Sequence, residues 1–169
     1  MKNKILYSSK SEEWETPQDL FDRLDNVYHF KLDACATKTN RKCQVFFSKA
    51  DNGLLQDWTP FERVWLNPPY GRPIGAWMRK AYEESQKGCL VACLVPARTD
   101  TRWWHEHVLD KGCVTFVRGR LKFKRTDSKT GAPLYPAPFP SAIVIYQPDT
   151  CYVVNASASR LPAGIADNT

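Results

Sequence analysis

The residues of this chain that are best suited to chemistry stand together in one short segment, Asn67-Pro68-Pro69-Tyr70. Asparagine carries an amide oxygen that accepts hydrogen bonds, and the prolines leave backbone carbonyls without competing donors nearby. Two acceptors that converge on one point suit an exocyclic amino group with two hydrogens, such as N6 of adenine. The ring of Tyr70 could stack on such a base, a contact that is worth roughly 1–3 kcal/mol. The segment therefore predicts a site for a planar amino group.

A buried strand is predicted to position this segment, because the apolar run Val64-Trp65-Leu66 comes directly before it. Branched and aromatic side chains favour packed, pleated surroundings. The two prolines cannot continue a sheet ladder, so the strand has to end at Asn67. In an open α/β sheet, ligands bind at the carboxyl ends of the strands. The alternative is an ordinary strand with a Pro-Pro turn, and we favour the functional interpretation because the full tetrapeptide rarely arises by chance.

The segment resembles the catalytic motif of amino-group methyltransferases that use S-adenosylmethionine (SAM). Four further stretches narrow the resemblance: residues 13–17, 32–36, 51–58 and 139–142. Together they look like the phage-type DNA N6-adenine methyltransferases, a small Dam-like family found in phages and prophages, over about residues 12–147. The resemblance implies transfer of a methyl group from SAM to N6 of an adenine that is flipped out of double-stranded DNA.

This chemistry gives each residue of the motif a role. The side-chain oxygen of Asn67 and the carbonyl of Pro68 would hold the N6 hydrogens and direct the nitrogen lone pair toward the methyl group. Pro69 stiffens the turn, and Tyr70 stacks on the base. Phe139, in the proline-rich segment, is the candidate for a second ring that holds the flipped base, whose extrusion costs a few kcal/mol. Transfer is direct, so catalysis rests on positioning and on preorganised electrostatics.

The resemblance also implies a cofactor site in the segments that precede the motif. The stretch Trp14-Glu15-Thr16-Pro17 matches a segment that lies against SAM in this family. Thr16 and Pro17 are in addition typical of a helix start, with threonine as the N-cap and proline at the first helical position. The helix cap alone does not account for the tryptophan.

Three carboxylates are expected to contact SAM by the same resemblance. Asp33 faces the methionine end or its ammonium, in a turn where Ala34, Cys35 and Ala36 replace the usual glycines. Asp51 is the candidate for the ribose hydroxyls, with a plain Asx-turn as the alternative. Asp57 is the candidate for the amino group of the cofactor adenine. The predicted cofactor-site residues are Trp14, Thr16, Pro17, Asp33, Ala34, Cys35, Ala36, Asp51 and Asp57.

Basic residues are concentrated near the C-terminal end of the predicted fold. The net charge is +6, and five of the eight residues 118–125 are basic. Alternation with period two would place these charges on one face of a strand, either as a solvated face or in contact with phosphates. The proline-rich segment 126–140 follows and has turn chemistry throughout. The predicted DNA-binding residues are Arg118, Arg120, Lys122, Lys124, Arg125 and Phe139.

Strand and helix signals alternate to about residue 110, and a pair of strands that flank the proline-rich segment closes the chain. The prediction is an α/β protein with the doubly wound, Rossmann-like sheet of SAM methyltransferases and an antiparallel C-terminal edge. No crossover helix is evident between Asp33 and Val45. The length of 169 residues suits one domain, which we place at residues 1–154, with a disordered tail at 155–169.

Several function classes are excluded by composition. No apolar stretch approaches the roughly 20 residues that span a bilayer, and the N-terminus lacks a signal peptide, so we expect a cytoplasmic protein, in the host cell if a phage encodes it. The six cysteines form no Cys-x-x-Cys pair, and we expect reduced thiols that pack as small apolar groups rather than a metal site. A monomer is the default expectation.

Two alternatives stay open within and beyond this chemistry. The same motif fits enzymes that methylate N4 of cytosine or the side-chain amide of a protein glutamine. A chain that keeps the fold as a non-catalytic DNA-binding protein is the alternative of another class, because the turn after the first strand is poor in glycine. The positive charge and the motif set favour adenine in DNA.

Overall fold

The centre of the fold is strand β4, whose uninterrupted apolar sequence is buried on both faces of the sheet. The structure, a computed structural model, describes residues 14–123 and 135–148. The strands are β1 (Leu32–Asp33), β2 (Val45–Phe46), β3 (Arg63–Leu66), β4 (Leu90–Pro96), β5 (Cys113–Phe116), β6 (Lys122–Phe123), β7 (Tyr135–Pro136) and β8 (Ser141–Tyr146). The helices are α1 (Gln18–Tyr28), α2 (Ile74–Gln86) and α3 (Arg102–His107), with a short 3-10 helix at Thr59–Phe61.

Six strands form one sheet in the order β2-β1-β3-β4-β8-β5. The pairs β2-β1, β1-β3 and β3-β4 are parallel, whereas β8 is antiparallel to both β4 and β5. This confirms the predicted α/β fold of the Rossmann-like methyltransferase type with an antiparallel C-terminal edge. Strand β6 pairs antiparallel with β7, which lies within the proline-rich segment, in a separate small sheet. The 11 residues between β1 and β2 contain no helix, as the sequence indicated.

Two helices connect the motif strand to the core. In α1 the apolar side chains of Leu20, Phe21 and Leu24 are buried, and the ring of Phe21 lies 5.5 Å from that of Trp65 on β3. Helix α2 begins soon after the motif and ends before Gly88, whose positive φ of 111° stops it. The strand that carries the motif is therefore packed against α1 and followed directly by α2.

Two local predictions are wrong. Pro17, and not Thr16, is the residue that precedes the first turn of α1, and α1 has no side-chain cap. The basic alternation is not one strand, because Gly119 takes a positive φ of 75° and turns the chain between β5 and β6. The three residues of this turn, 118–120, are all exposed, between the buried side chains of Val117 and Leu121.

Cys43, Cys89, Cys93 and Cys113 are free thiols. Cys43, Cys89 and Cys93 are buried as apolar packing groups, which agrees with the prediction, whereas Cys113 is exposed on the edge strand β5. In the part of the chain that the structure describes, no helix has the length and apolar character needed to cross a membrane. Cys151 and the tail predicted at 155–169 lie outside the described residues.

Candidate active site

A cavity of about 770 Å³ lies at the carboxyl ends of three neighbouring strands. Asp33 ends β1, Phe47 follows β2 and Asn67 follows β3, and all three line the cavity. The backbone N–H of Ala34 donates to the carbonyl of Trp65 at 2.9 Å, and that of Phe47 to the carbonyl of Asp33 at 3.0 Å. These bonds hold the strand ends together at the sheet edge where open α/β folds bind ligands.

The amide of Asn67 is held in one orientation by the N-terminal segment. Its nitrogen Nδ2 donates to the backbone carbonyl of Trp14 at 2.5 Å and to the hydroxyl oxygen of Thr16 at 2.9 Å. A backbone carbonyl only accepts, so the NH₂ group must face Trp14 and the amide oxygen must point away. That oxygen, Oδ1, is buried and has no hydrogen-bond partner among the described residues. Buried acceptors without a partner are rare, and this one is therefore available to a donor from a ligand.

Asp33, at the end of β1, brings a buried carboxylate to the same cavity. Its side chain is only 3% exposed, and its oxygens accept backbone hydrogen bonds from Cys35 at 3.4 Å and from Lys42 at 2.9 Å. Burial raises the pKa of Asp33 to about 6, because loss of hydration outweighs these two bonds and the charge of Lys42. Because burial disfavours its negative charge, this carboxylate is well suited to bind a cationic ligand group.

The structure brings most of the predicted cofactor residues to the cavity. Trp14, Thr16, Cys35 and Ala36 line it together with Asp33, whereas Pro17 and Ala34 do not. Ala34 instead lies beneath the lining, fully buried, with its carbonyl against Gly53. A Cβ on Gly53 would stand 2.3 Å from that carbonyl oxygen, so only glycine allows the loop after β2 to approach the turn after β1 so closely.

Asp51 and Asp57 do not line the cavity. The carboxylate of Asp51 accepts hydrogen bonds from the backbone and hydroxyl of Ser48 at 2.8 and 2.6 Å, which lower its pKa. That of Asp57 accepts from the hydroxyl and backbone of Thr59 at 2.8 and 3.1 Å, and its pKa is lowered likewise. Both carboxylates thus stabilise local turns on the surface, which is the Asx-turn alternative that the sequence left open for Asp51.

Several lining residues were not predicted from the sequence. They come from the loop after β2 and from the start of α2, and they are Phe47, Ser48, Lys49, Asn52, Gly53, Pro73 and Trp77. The ring of Trp77 packs against Trp58 with centroids 6.4 Å apart. An Asn-Gly pair is typical of a turn, but nothing in the sequence showed that the turn at Asn52-Gly53 folds against β1.

Tyr70 is buried in an aromatic cluster next to the cavity rather than in its lining. Its hydroxyl donates to the carbonyl of Leu94 at 3.3 Å, and its ring meets that of Phe139 edge to face at 5.4 Å between centroids. Trp14 contacts Phe123 and Phe139 in the same edge-to-face manner, at 5.4 and 5.2 Å. The two rings predicted to hold a base are therefore adjacent, but in this arrangement no parallel slot for a base lies between them.

Basic side chains lie on two surfaces. Arg118 and Arg120 are exposed between β5 and β6, and Lys122 is exposed on β6, while Lys124 and Arg125 lie outside the described residues. A second, shallow concavity of about 410 Å³ between α2 and α3 was not predicted. Its basic residues are Arg72, Arg79, Arg102 and His107. Arg72 comes five positions after Asn67, so this concavity begins beside the motif.

Comparisons with known proteins agree on one family. The family described as DNA N-6-adenine-methyltransferase (Dam) matches residues 4–160. A DNA N-6-adenine-methyltransferase of Escherichia phage T1 is 36% identical over 94 residues, which are 55% of this chain and 39% of the phage protein. A protein of the same name from Haemophilus phage HP1 is 26% identical over 147 residues, 85% of this chain and 83% of that protein. The match thus spans about two fifths of the first relative and most of the second.

Proposed function

The chain belongs to the Dam family of DNA N-6-adenine-methyltransferases, and on that premise we propose that it transfers a methyl group from SAM to N6 of adenine in double-stranded DNA. The observation that carries the proposal is the buried oxygen of Asn67, which has no described partner and is held facing away from Trp14. An acceptor fixed in this way is what an exocyclic amino group requires. The same oxygen could not serve a donor-poor substrate.

At the target end, the chain acts on N6 by accepting its hydrogens. The lone pair of an adenine amino group is delocalised into the ring, which makes the nitrogen a poor nucleophile. Acceptors at Asn67 Oδ1 and at the Pro68 carbonyl draw the two hydrogens out of the ring plane, so the lone pair localises toward the methyl group. SAM, when bound, would supply the methyl group: N6 would gain the methyl carbon, sulfur would keep the electron pair of the broken carbon–sulfur bond as a neutral thioether, and the proton that N6 gives up would pass to water. The neutral acceptors act by preorganised electrostatics and positioning.

At the cofactor end, the residues present fit SAM. SAM supplies a methyl group on a sulfonium, an α-ammonium and a purine. The buried carboxylate of Asp33 suits the ammonium, and the apolar surfaces of Phe47, Pro73 and Trp77 suit the purine. The cavity volume of about 770 Å³ lies within the usual range for ligand pockets. Asp51 and Asp57 take no part in this proposal, because their carboxylates are bonded locally outside the cavity.

The base must leave the duplex, because N6 is paired in double-stranded DNA. Tyr70 and Phe139 remain the proposed stacking rings. Since they now meet edge to face at 5.4 Å, stacking requires Phe139 to move aside when DNA binds. Backbone phosphates would contact both basic surfaces, through Arg118, Arg120 and Lys122 on one side and Arg72 on the other.

Methyl transfer from radiolabelled SAM to DNA of defined sequence, followed by nucleoside analysis, tests the proposal. We expect the label in N6-methyladenine. Label in N4-methylcytosine would show that the base is wrong, and label in an added protein substrate would favour the glutamine alternative. A folded sample that binds no SAM by calorimetry would favour the non-catalytic DNA-binding protein.

A further inference from the structure

We propose that Trp14 and Thr16 are positioning residues for Asn67: they orient its amide so that oxygen rather than nitrogen faces the target amino group. The family resemblance placed this segment against SAM, and nothing in that resemblance links it to the motif asparagine. The inference deepens the proposed function and rests on it, because it assumes that Asn67 receives the N6 hydrogens.

The carbonyl of Trp14 and the hydroxyl of Thr16 form a clamp that binds both N–H groups of the Asn67 amide. Nδ2 has two hydrogens, and Trp14 O at 2.5 Å and Thr16 Oγ1 at 2.9 Å provide two acceptors. The nitrogen and oxygen of an asparagine side chain are nearly equal in size, so packing alone does not distinguish the two orientations that differ by a half-turn about χ2. In the reversed orientation, an NH₂ group would face the NH₂ group of adenine. The Trp14 carbonyl excludes that orientation, because it can only accept and would then face an oxygen, while the Thr16 hydroxyl accepts the second hydrogen of the amide.

The two acceptors are themselves held from both sides. Thr16 is 4% exposed and precedes Pro17, which restricts Thr16 to an extended conformation. Helix α1 follows and is packed through Phe21 against Trp65, on the strand that ends at Asn67. The indole of Trp14 is packed edge-on against Phe123 and Phe139. The carbonyl and the hydroxyl are thus fixed relative to β3, although 53 and 51 residues separate them from Asn67.

This arrangement also gives Thr16 a physical reason for its burial. A threonine before a helix usually caps it, and here α1 has no side-chain cap. The Thr16 hydroxyl instead accepts a hydrogen bond from Nδ2 of Asn67. It therefore contacts the motif and does not cap the helix.

Replacing Thr16 with valine or with serine separates a positioning role from a cofactor contact. Valine keeps the shape and removes the acceptor, whereas serine keeps the acceptor. For Thr16→Val we expect kcat to fall about tenfold to a hundredfold, with the dissociation constant of SAM within about threefold of the parent. Thr16→Ser should restore most of kcat. A Thr16→Val variant that binds SAM much more weakly at unchanged kcat, or that changes neither quantity, would overturn the proposal.

A matched control removes a threonine hydroxyl away from the cavity. The Thr59 hydroxyl donates to Asp57 at 2.8 Å on the surface, so Thr59→Val should leave both kcat and SAM affinity close to the parent values. Thermal midpoints of all three variants show whether each is folded. If Thr16→Val does not fold, the Thr16→Ser variant still decides, since loss of kcat in that folded variant would contradict the clamp.

A readout without activity keeps this test separate from the proposed function. The side-chain NH₂ of Asn67, followed by NMR, should show slow hydrogen exchange in the parent protein and faster exchange in Thr16→Val. If the parent transfers no methyl group but its amide is protected, the proposed function fails and the clamp stands. If the parent is active and the amide is not protected, the clamp fails and the proposed function stands.

Discussion

Two polar groups of the cavity are held in opposite ways: Asn67, at the proposed target end, and Asp33, at the proposed cofactor end. The neutral amide of Asn67 is fixed by partners more than 50 residues away, and among the described residues its oxygen has no partner. The carboxylate of Asp33 accepts hydrogen bonds from backbone N–H groups of its own neighbourhood, and its pKa is raised to about 6. The N–H groups of the Asn67 amide thus have their hydrogen-bond partners before any ligand binds. The negative charge of Asp33 is disfavoured by burial until a cationic group binds beside it.

This difference assigns the two ends to different steps of the reaction. A preorganised neutral acceptor acts on the reacting nitrogen, so its loss should appear in the rate of transfer. A buried carboxylate gains most from a partner of opposite charge, so its loss should appear in cofactor affinity. If substitutions at both ends changed the transfer rate and the SAM affinity to the same extent, this assignment would be wrong.

The largest effect is expected at the target end. Asn67→Ala removes the oxygen that receives an N6 hydrogen, and we expect the single-turnover rate to fall by about a thousandfold. The dissociation constant of SAM, measured by calorimetry, should stay within about threefold of the parent value, because the proposed cofactor contacts come from Asp33 and the apolar lining and not from the Asn67 amide. Substantial residual transfer in this variant would remove Asn67 from the mechanism.

A smaller effect in the other quantity is expected at the cofactor end. Asp33→Asn keeps the shape and removes the charge, and we expect SAM to bind about thirtyfold more weakly, with a rate at saturating SAM near that of the parent. Asp57→Asn is the matched control, because that carboxylate is exposed and bonded to Thr59. Weaker SAM binding in Asp57→Asn would show that the carboxylate reaches the cofactor after all.

A pH series should distinguish the two ends, because the carboxylate of Asp33 titrates and the amide of Asn67 does not. We expect SAM affinity to change by about tenfold. The pKa of Asp33 is raised from 3.8 to about 6, so folding favours the protonated acid. Its stabilising contribution is complete below pH 4 and is lost as pH rises through 6, by about 3 kcal/mol, since one pKa unit corresponds to about 1.4 kcal/mol. SAM affinity runs the other way and should fall by about tenfold in the first pH units below 6, and by no more than the roughly thirtyfold expected for Asp33→Asn, because the ammonium requires the carboxylate.

The control for this series is Asp33→Asn. Other carboxylates also titrate in this range, and they contribute equally to the parent and the variant. The difference between the two proteins in thermal midpoint and in SAM affinity therefore isolates Asp33. An equal slope of SAM affinity against pH in both proteins would contradict the role given to this group.

The contrast between the two ends also explains what the sequence could and could not predict. The turn at Asn67-Pro68-Pro69 could be predicted from the sequence because proline restricts its immediate neighbours. A continuous apolar run such as that of β4 is typical of a strand in a parallel sheet. The clamp on Asn67 could not be predicted from the sequence, since its acceptors are brought together by the packing of α1 against β3. The sequence predicted Thr16 as the N-cap of α1 because a cap is a local interaction.

The three carboxylates show the same limit of local sequence information. Asp33, Asp51 and Asp57 all follow or precede turns, and residue type alone does not tell a buried acid from a surface one. The difference lies in neighbours two or three positions away: Ser48 and Thr59 satisfy Asp51 and Asp57 with hydroxyl groups. Asp33 has small apolar neighbours instead, and it is buried under them.

The smallest effect is expected outside both ends, on the surface that meets DNA. Arg72 is exposed and begins the concavity between α2 and α3, five residues after Asn67. For Arg72→Ala we expect a few-fold weaker DNA binding, and a dependence of log affinity on log salt that is shallower by about 0.9, as for one lost phosphate contact. SAM affinity and the rate at saturating DNA should not change, because the arginine touches neither end of the cavity. Arg63→Ala is the control, since Arg63 begins β3 and thus lies at the opposite edge of the sheet. An equal change of salt slope in both variants would mean that the effect is one of net charge, and that Arg72 holds no particular phosphate.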